Sequence, residues 1–108
     1  GTAVANDDLA EANAIQAVFG ENASKVITWP TKSMLSHTGA AASTLDLIAG
    51  LYILNEGVIP AAKNCDQMPD GVSLNINKQN QQKDVKNILC MSHTFGGQTT
   101  ALVLKKCQ

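Results

Sequence analysis

The chain has 108 residues, with 8 basic and 9 acidic side chains and a formal net charge of −1. That length suits one domain at most, or a piece of a larger one, and a 44% hydrophobic share against 16% charged excludes a disordered chain. Charge this balanced offers nucleic acid no concentrated basic surface, and no apolar run reaches the roughly 20 residues that span a bilayer.

At the N-terminus, Gly1 to Asp8 has neither a basic n-region nor an apolar h-region, so no export signal is expected. Asp7-Asp8, followed by Leu9, Ala10, Ala12, Ala14, Ile15, Ala17, Val18 and Phe19, reads as an amphipathic helix. Its acidic first turn suits the positive end of the helix dipole, and Gly20 ends it. Lys25-Val26-Ile27-Thr28 is a short strand stopped by Trp29-Pro30, where Trp29 serves packing, and Thr31 to Ser36 is a polar loop.

The segment from His37 to Asn55 is the most informative. Its nineteen residues would span roughly 28 Å as a helix. Small residues (Gly39, Ala40, Ala41, Ala42, Ser43) fill the first half, and Leu45, Leu47, Ile48, Leu51, Tyr52, Ile53 and Leu54 fill the second. Asp46 is its only charge, so no polar stripe remains, and a helix apolar all round is buried all round. Gly57 closes it, and Val58-Ile59-Pro60 leaves in extended form.

Residues 61–71 are loop-like, with a turn at Pro69-Asp70-Gly71. Val72, Leu74 and Ile76 alternate with polar residues as a half-exposed strand, and Asn77 to Lys86 is a solvated connection. Ile88 to Ser92 and Thr100 to Lys105 are two strands joined by a turn around Phe95-Gly96-Gly97. The elements make an α/β unit with a mixed sheet. One sheet of three or four short strands and one other helix cannot cover an all-apolar helix. A second copy or another polypeptide is expected to supply the missing layer.

Cys65, Cys90 and Cys107 form an odd, widely spaced set without CxxC pairs, so neither a disulfide framework nor a zinc site is expected. Reduced thiols in a cytoplasmic protein fit better. Cys90 reads as a small core residue, and none of the three has an adjacent His or a helix N-terminus to make it a nucleophile.

The run Thr31-Lys32-Ser33-Met34-Leu35-Ser36-His37, then Gly39-Ala40-Ala41-Ala42, resembles the Lys/His motif of β-ketoacyl-acyl-carrier-protein synthases. Three further matches follow in register: Gly1-Thr2 with Asp8 and Glu11, then Gly57-Val58-Ile59-Pro60, then Phe95-Gly96-Gly97 with the strand ending Leu102-Val103-Leu104-Lys105-Lys106. The resemblance covers essentially the whole chain, 1–108. It implies the C-terminal segment of a thiolase-like condensing enzyme: α/β, with a mixed sheet, one fully buried central helix and a terminal β-hairpin.

By that resemblance, His37 is the second of two histidines that hydrogen-bond the enolate oxygen formed when malonyl carrier protein loses CO2. The first would lie just before Gly1, and the nucleophilic cysteine belongs to the N-terminal part. Lys32 matches the family lysine that orders the histidine region through a carboxylate, here Asp46, one methylene shorter than the usual glutamate. A Lys32–Asp46 pair would account for a lone charge on an apolar helix. Phe95 matches the gating phenylalanine whose backbone N–H helps form the oxyanion hole, with Gly96 and Gly97 beside it. Thr2 matches a residue that holds the phosphopantetheine arm.

The resemblance implies no cofactor or metal beyond that arm, which belongs to acyl carrier protein. Partners would be acyl carrier protein, the N-terminal part of the synthase, and a second copy in a homodimer burying the Gly39–Ser43 face. The isolated chain is expected to be inactive. Departures are also present: Val4 replaces a second carrier-arm threonine, Met91-Ser92-His93-Thr94 replaces Asn-Ser-Phe-Gly, and Gln98-Thr99 replaces Thr-Asn. Thr94 in place of glycine restricts the backbone on which the gate swings. His93 reads as a strand histidine without a catalytic role. These changes keep a second possibility open, a non-catalytic synthase-like partner similar to chain-length factors.

Overall fold

The computed structural model describes residues 1–2 and 4–107. It is mixed α/β, in the order α1 (Ala5–Phe19), β1 (Ile27–Thr28), α2 (Lys32–Leu35), α3 (Ala42–Glu56), β2 (Val58–Ile59), β3 (Asn75–Ile76), β4 (Gln81–Gln82), β5 (Asn87–His93) and β6 (Thr99–Lys105). Short 3₁₀ turns, Gly20–Lys25 and Gly39–Ala41, precede β1 and α3. The chain divides into two compact units: Gly1–His37 with Pro60–Asn80, and Thr38–Ile59 with Gln81–Gln108.

In the first unit, α1 carries Asp7 and Asp8 in its first turn, at the positive end of the helix dipole, and it ends at Gly20 with φ +54°. Gln16 fixes the helix to the loop after residue 70: its amide nitrogen donates to Gly71 O (3.4 Å), and its oxygen accepts from Ser73 N (3.1 Å). β1 pairs in parallel with β3, Ile27 opposite Asn75 and Thr28 opposite Ile76. Asn77 continues that pairing by donating its backbone N–H to Thr28 O (3.0 Å). Its side chain donates to Pro60 O (2.6 Å), and its carbonyl accepts from Ala62 N (2.6 Å). At 3% exposure Asn77 is buried, and these bonds are what make burial of its amide tolerable.

In the second unit, β5 and β6 form an antiparallel hairpin of seven pairs, from Asn87–Lys105 to His93–Thr99. It lies against α3 at Gly50. A Cβ there would stand 3.4 Å from Cys90 Sγ, 3.5 Å from Leu104 Cδ1 and 3.6 Å from Ile88 Cγ2. The strand period sends Leu89 and Val103 to the other face, where both are exposed. Helix α3 ends at Gly57, left-handed at φ +68°, whose N–H reaches Ile53 O (2.9 Å) and whose carbonyl accepts from Lys83 N (2.8 Å). The chain then pairs β2 antiparallel with β4.

Several expectations change. Thr31 to Ser36 is not all loop, because Pro30 and Thr31 start a helical turn that Lys32–Leu35 completes. The central helix begins at Ala42 rather than His37, since Gly39 takes φ +62° and the following residues wind as a 3₁₀ turn. There is no single mixed sheet: β1–β3, β2–β4 and β5–β6 are three separate two-stranded ladders. The segment 77–86 is not wholly solvated, since it opens on buried Asn77 and contains β4.

The fully buried central helix is not found in this chain. Ala42, Gly50, Ile53 and Leu54 are buried, but Ile48, Leu51 and Tyr52 are exposed, Tyr52 by 67%. Uniform apolarity fixes no direction of burial, and a chain this short covers the helix on one side only.

Two substitutions test this packing by urea denaturation of the full-length protein. Gly50→Ala is expected to hold or raise stability, since its Cβ lands at contact distance and alanine improves helix propensity by up to about 1 kcal/mol. Gly50→Leu overfills the seam and is expected to cost about 1–3 kcal/mol. Equal effects from the two would show that the hairpin does not press on Gly50. Separately, Asn77→Leu strands the Pro60 carbonyl and is expected to cost about 1–3 kcal/mol, where a surface position would lose almost nothing.

Candidate functional site

Lys32 opens α2, half-buried, and the helix runs one turn before Ser36 donates its N–H to Lys32 O (3.1 Å). Ser36 stands at φ +63°, ψ 170°, a region that residues with a side chain avoid. This reversal takes the chain out of the helix and sets His37 on the surface immediately after it. The hydroxyl of Ser33, on the same turn, accepts from Lys63 N (3.2 Å) and holds α2 to the segment after Pro60. Trp29, just upstream, is half-buried as a packing residue, although its indole N–H is buried with no acceptor among the described residues.

Thr2 stands before α1 in the same unit. Its hydroxyl donates to Asp7 Oδ2 (3.2 Å) and accepts from Val4 N (3.3 Å), while its backbone N–H donates to Asp8 Oδ1 (2.6 Å). In this structure, therefore, Thr2 organises the start of α1.

The remaining candidates lie in the second unit. Asp46, in the second turn of α3, is half-buried on the stripe that carries Ala42 and Gly50. Burial pushes the Cys90 thiol up, and the nearby Asp46 charge pushes it the same way. In the first unit the Cys65 thiol is also pushed up, by burial first and Asp66 second. Both shifts oppose the lowered pKa that a nucleophilic thiolate needs.

Phe95 is fully exposed at the tip between β5 and β6. The turn closes through Thr94 N to Gln98 O (3.0 Å) and Gly97 N to Thr94 O (3.0 Å), with Gly97 at φ +83°. These bonds leave the Phe95 N–H unengaged among the described residues. Below the turn, the hydroxyls of Ser92 and Ser43 meet at 2.5 Å and tie the end of β5 to the start of α3. Across its neck, the Thr94 hydroxyl donates to the Gln98 amide oxygen.

The structure thus gathers Thr2, Lys32 and His37 on one unit, and Asp46, Phe95, Gly96 and Gly97 on the other. Reasoning from the sequence missed the reversal at Ser36 and the Thr94–Gln98 contact. The latter had a signal, a donor and an amide four residues apart across a Gly-Gly turn. The former had none, because serine does not announce a left-handed backbone. Among the described residues no three His, Cys, Asp or Glu side chains are grouped to hold a metal ion, and no helix is long and apolar enough to cross a membrane.

Residues 1–66 match the family model described as "Beta-ketoacyl synthase, C-terminal domain". The chain belongs to the β-ketoacyl synthase family, in its C-terminal part. It is similar to 3-oxoacyl-[acyl-carrier-protein] synthase 2 of Vibrio harveyi, 32% identical over 108 residues that cover 98% of this chain and 26% of that protein. Against 3-oxoacyl-[acyl-carrier-protein] synthase 1 of Escherichia coli (strain K12) it is 29% identical, again over 98% of this chain and 26% of the relative. Nodulation protein E of Rhizobium leguminosarum bv. trifolii is 36% identical over 96 residues, 84% of this chain and 23% of its own length. The chain therefore spans about a quarter of the length of these curated relatives.

The Ser36 backbone gives a prediction for the segment that delivers His37. Ser36→Gly relieves a conformation costing about 1–3 kcal/mol, against less than about 1 kcal/mol of added chain entropy, so stability should rise. Denaturant titration of the full-length protein measures this, and a fall in stability would show that Ser36 is not strained.

Proposed function

We propose that this chain is the C-terminal part of a 3-oxoacyl-[acyl-carrier-protein] synthase, a transferase of fatty-acid or polyketide assembly in the cytoplasm. The observation that carries the proposal is the run from Thr31 to Ala42, in which exposed His37 follows a helical turn headed by Lys32. The relatives named as synthases of this class support it, since the similarity extends over nearly all of the chain.

In the proposed reaction an acyl group waits as a thioester on a cysteine contributed by the N-terminal part. Malonyl carrier protein loses CO2, and the electron pair of the broken C–C bond passes into an enolate. His37, with a second histidine from the N-terminal part, donates hydrogen bonds to the enolate oxygen as its charge grows. The enolate carbon attacks the acyl carbonyl, the C–S bond breaks, and the cysteine leaves as thiolate. The Phe95 N–H, unengaged in the turn, is suited to the oxyanion of the tetrahedral intermediate. Lys32, through Asp46, is assigned the ordering of the His37 region, and Thr2 the carrier arm. The assembly is assigned as a homodimer through the exposed small residues Gly39, Ala40 and Ala41 with Ser43. The described cysteines have no part, which suits their raised thiol pKa values.

A second reading, a non-catalytic synthase-like partner, is favoured by Val4, Thr94 and Gln98, where the family pattern has other residues.

One experiment separates them. The full-length protein, given malonyl and acyl carrier protein, should release CO2 and form the 3-oxoacyl product, while residues 1–108 alone should form none. His37→Ala should lower kcat by about 10²–10³-fold, the loss of one oxyanion-type donor. Lys32→Leu and Asp46→Leu should couple by about 0.5–3 kcal/mol in a stability cycle. Full-length protein without turnover, which instead alters the product length of an active synthase, would establish the second reading.

A further inference from the structure

We infer that Asn77 is a positioning residue for the Lys32–His37 turn, acting through the segment 60–63 that it braces against α2. The inference rests on the synthase reading for the step it affects, while the brace rests on hydrogen bonds within the first unit. Four successive residues of the segment are each tied at the backbone. Pro60 O accepts from the Asn77 side-chain amide (2.6 Å), Ala61 N donates to Asn80 Oδ1 (2.8 Å), and Ala62 N donates to Asn77 O (2.6 Å). Lys63 N then donates to the Ser33 hydroxyl of α2 (3.2 Å). Asn77 reaches the other flank as well, since its backbone N–H donates to Thr28 O (3.0 Å), two residues before Pro30 starts the turn.

One residue therefore sets the register of both approaches to α2, the strand that leads into it and the segment that grips its side. A single helical turn has too few internal bonds to hold itself, and Ser36 at φ +63° needs support from its surroundings. The segment 60–63 brings that support. The two backbone bonds of Asn77 survive a change of side chain, and its amide adds the tie to Pro60. An apolar side chain of similar volume would fill the same buried space without the cost of burying an amide. What the amide supplies is position.

The test uses the full-length protein and two independent readouts. Hydrogen exchange of the Leu35 and Ser36 amides, which bond to Thr31 O and Lys32 O, reads the brace without turnover. In single turnover, CO2 release from malonyl carrier protein reads the step assigned to His37. Acylation of the cysteine by acyl carrier protein reads a step in which His37 has no assigned part. Asn77→Leu should speed exchange about 3- to 10-fold, the net worth of one hydrogen bond, and slow CO2 release by a similar factor with acylation unchanged. Ser33→Ala should do the same, and the double variant should add little further, because both act through one segment. Should Asn77→Leu not fold, Asn80→Ala, at an exposed position, makes the same test by freeing Ala61 N. Unchanged exchange in α2, or additive effects in the double variant, overturns the brace. CO2 release and acylation falling by one common factor overturns the positioning role, since a smaller folded fraction lowers both alike. An unsubstituted protein that releases no CO2 overturns the synthase reading, and the exchange data distinguish that failure from failure of the brace.

Discussion

The close seat of the β5–β6 hairpin on α3 is the contact on which the rest of the second unit depends. It exists because residue 50 is glycine: Cys90, Leu104 and Ile88 all reach to within 3.6 Å of where a Cβ would stand. Ala42, Asp46 and Gly50 follow at intervals of four, with Ile53 and Leu54 one turn further on, so they form a single stripe. Asp46 consequently lies on the packed stripe of α3, which is why its charge reaches the Cys90 thiol. The same seat supports the base of the hairpin, while Phe95 at its tip is fully exposed. Stiffness in the strands is thus what gives a turn of two glycines any positional meaning.

The first unit sets its residues by a different device. No sheet of any width supports α2, and the helix is a single turn. Its order comes from Pro30 and Thr31 at the start, the reversal at Ser36 at the end, and Ser33 holding Lys63 N at the side. A backbone conformation costing about 1–3 kcal/mol persists only where its surroundings over-determine it, and here it immediately precedes the histidine assigned to the enolate. Asn77 plays the corresponding structural part nearby: its backbone joins Thr28 and Ala62 and its side-chain amide joins Pro60, so the short β1–β3 ladder is held by more than its two residue pairs.

What could be read from the residues was local. The end of α1 at Gly20, the end of α3 at Gly57 and the terminal hairpin all carry their own chemistry, a glycine able to take positive φ or a run with period two. The boundaries that shifted depend on less visible causes. Nothing in Thr38-Gly39-Ala40-Ala41 separates an α-helix from a 3₁₀ turn, and only the φ of Gly39 decides it. An all-apolar helix calls for cover on every side, and the described residues supply it on one side. In this chain the apolar character resolves into a packed stripe and an exposed one at Ile48, Leu51 and Tyr52. Asn77 shows the converse: composition marks an Asn/Gln/Lys stretch as solvated, whereas a backbone carbonyl placed to accept from its amide, at Pro60, lets one residue of the stretch be buried. The candidate site residues were legible as a motif, but the devices that position them were not.

The two departures at the gate also weigh differently once their geometry is known. Counted along the sequence, Thr94 and Gln98 are separate losses from the family pattern and favour a loop that has given up its work. In the structure they touch, the hydroxyl of one donating to the amide of the other, with that amide filling the space above Gly96. The pair is a single alteration that adds an interaction where a glycine offered none.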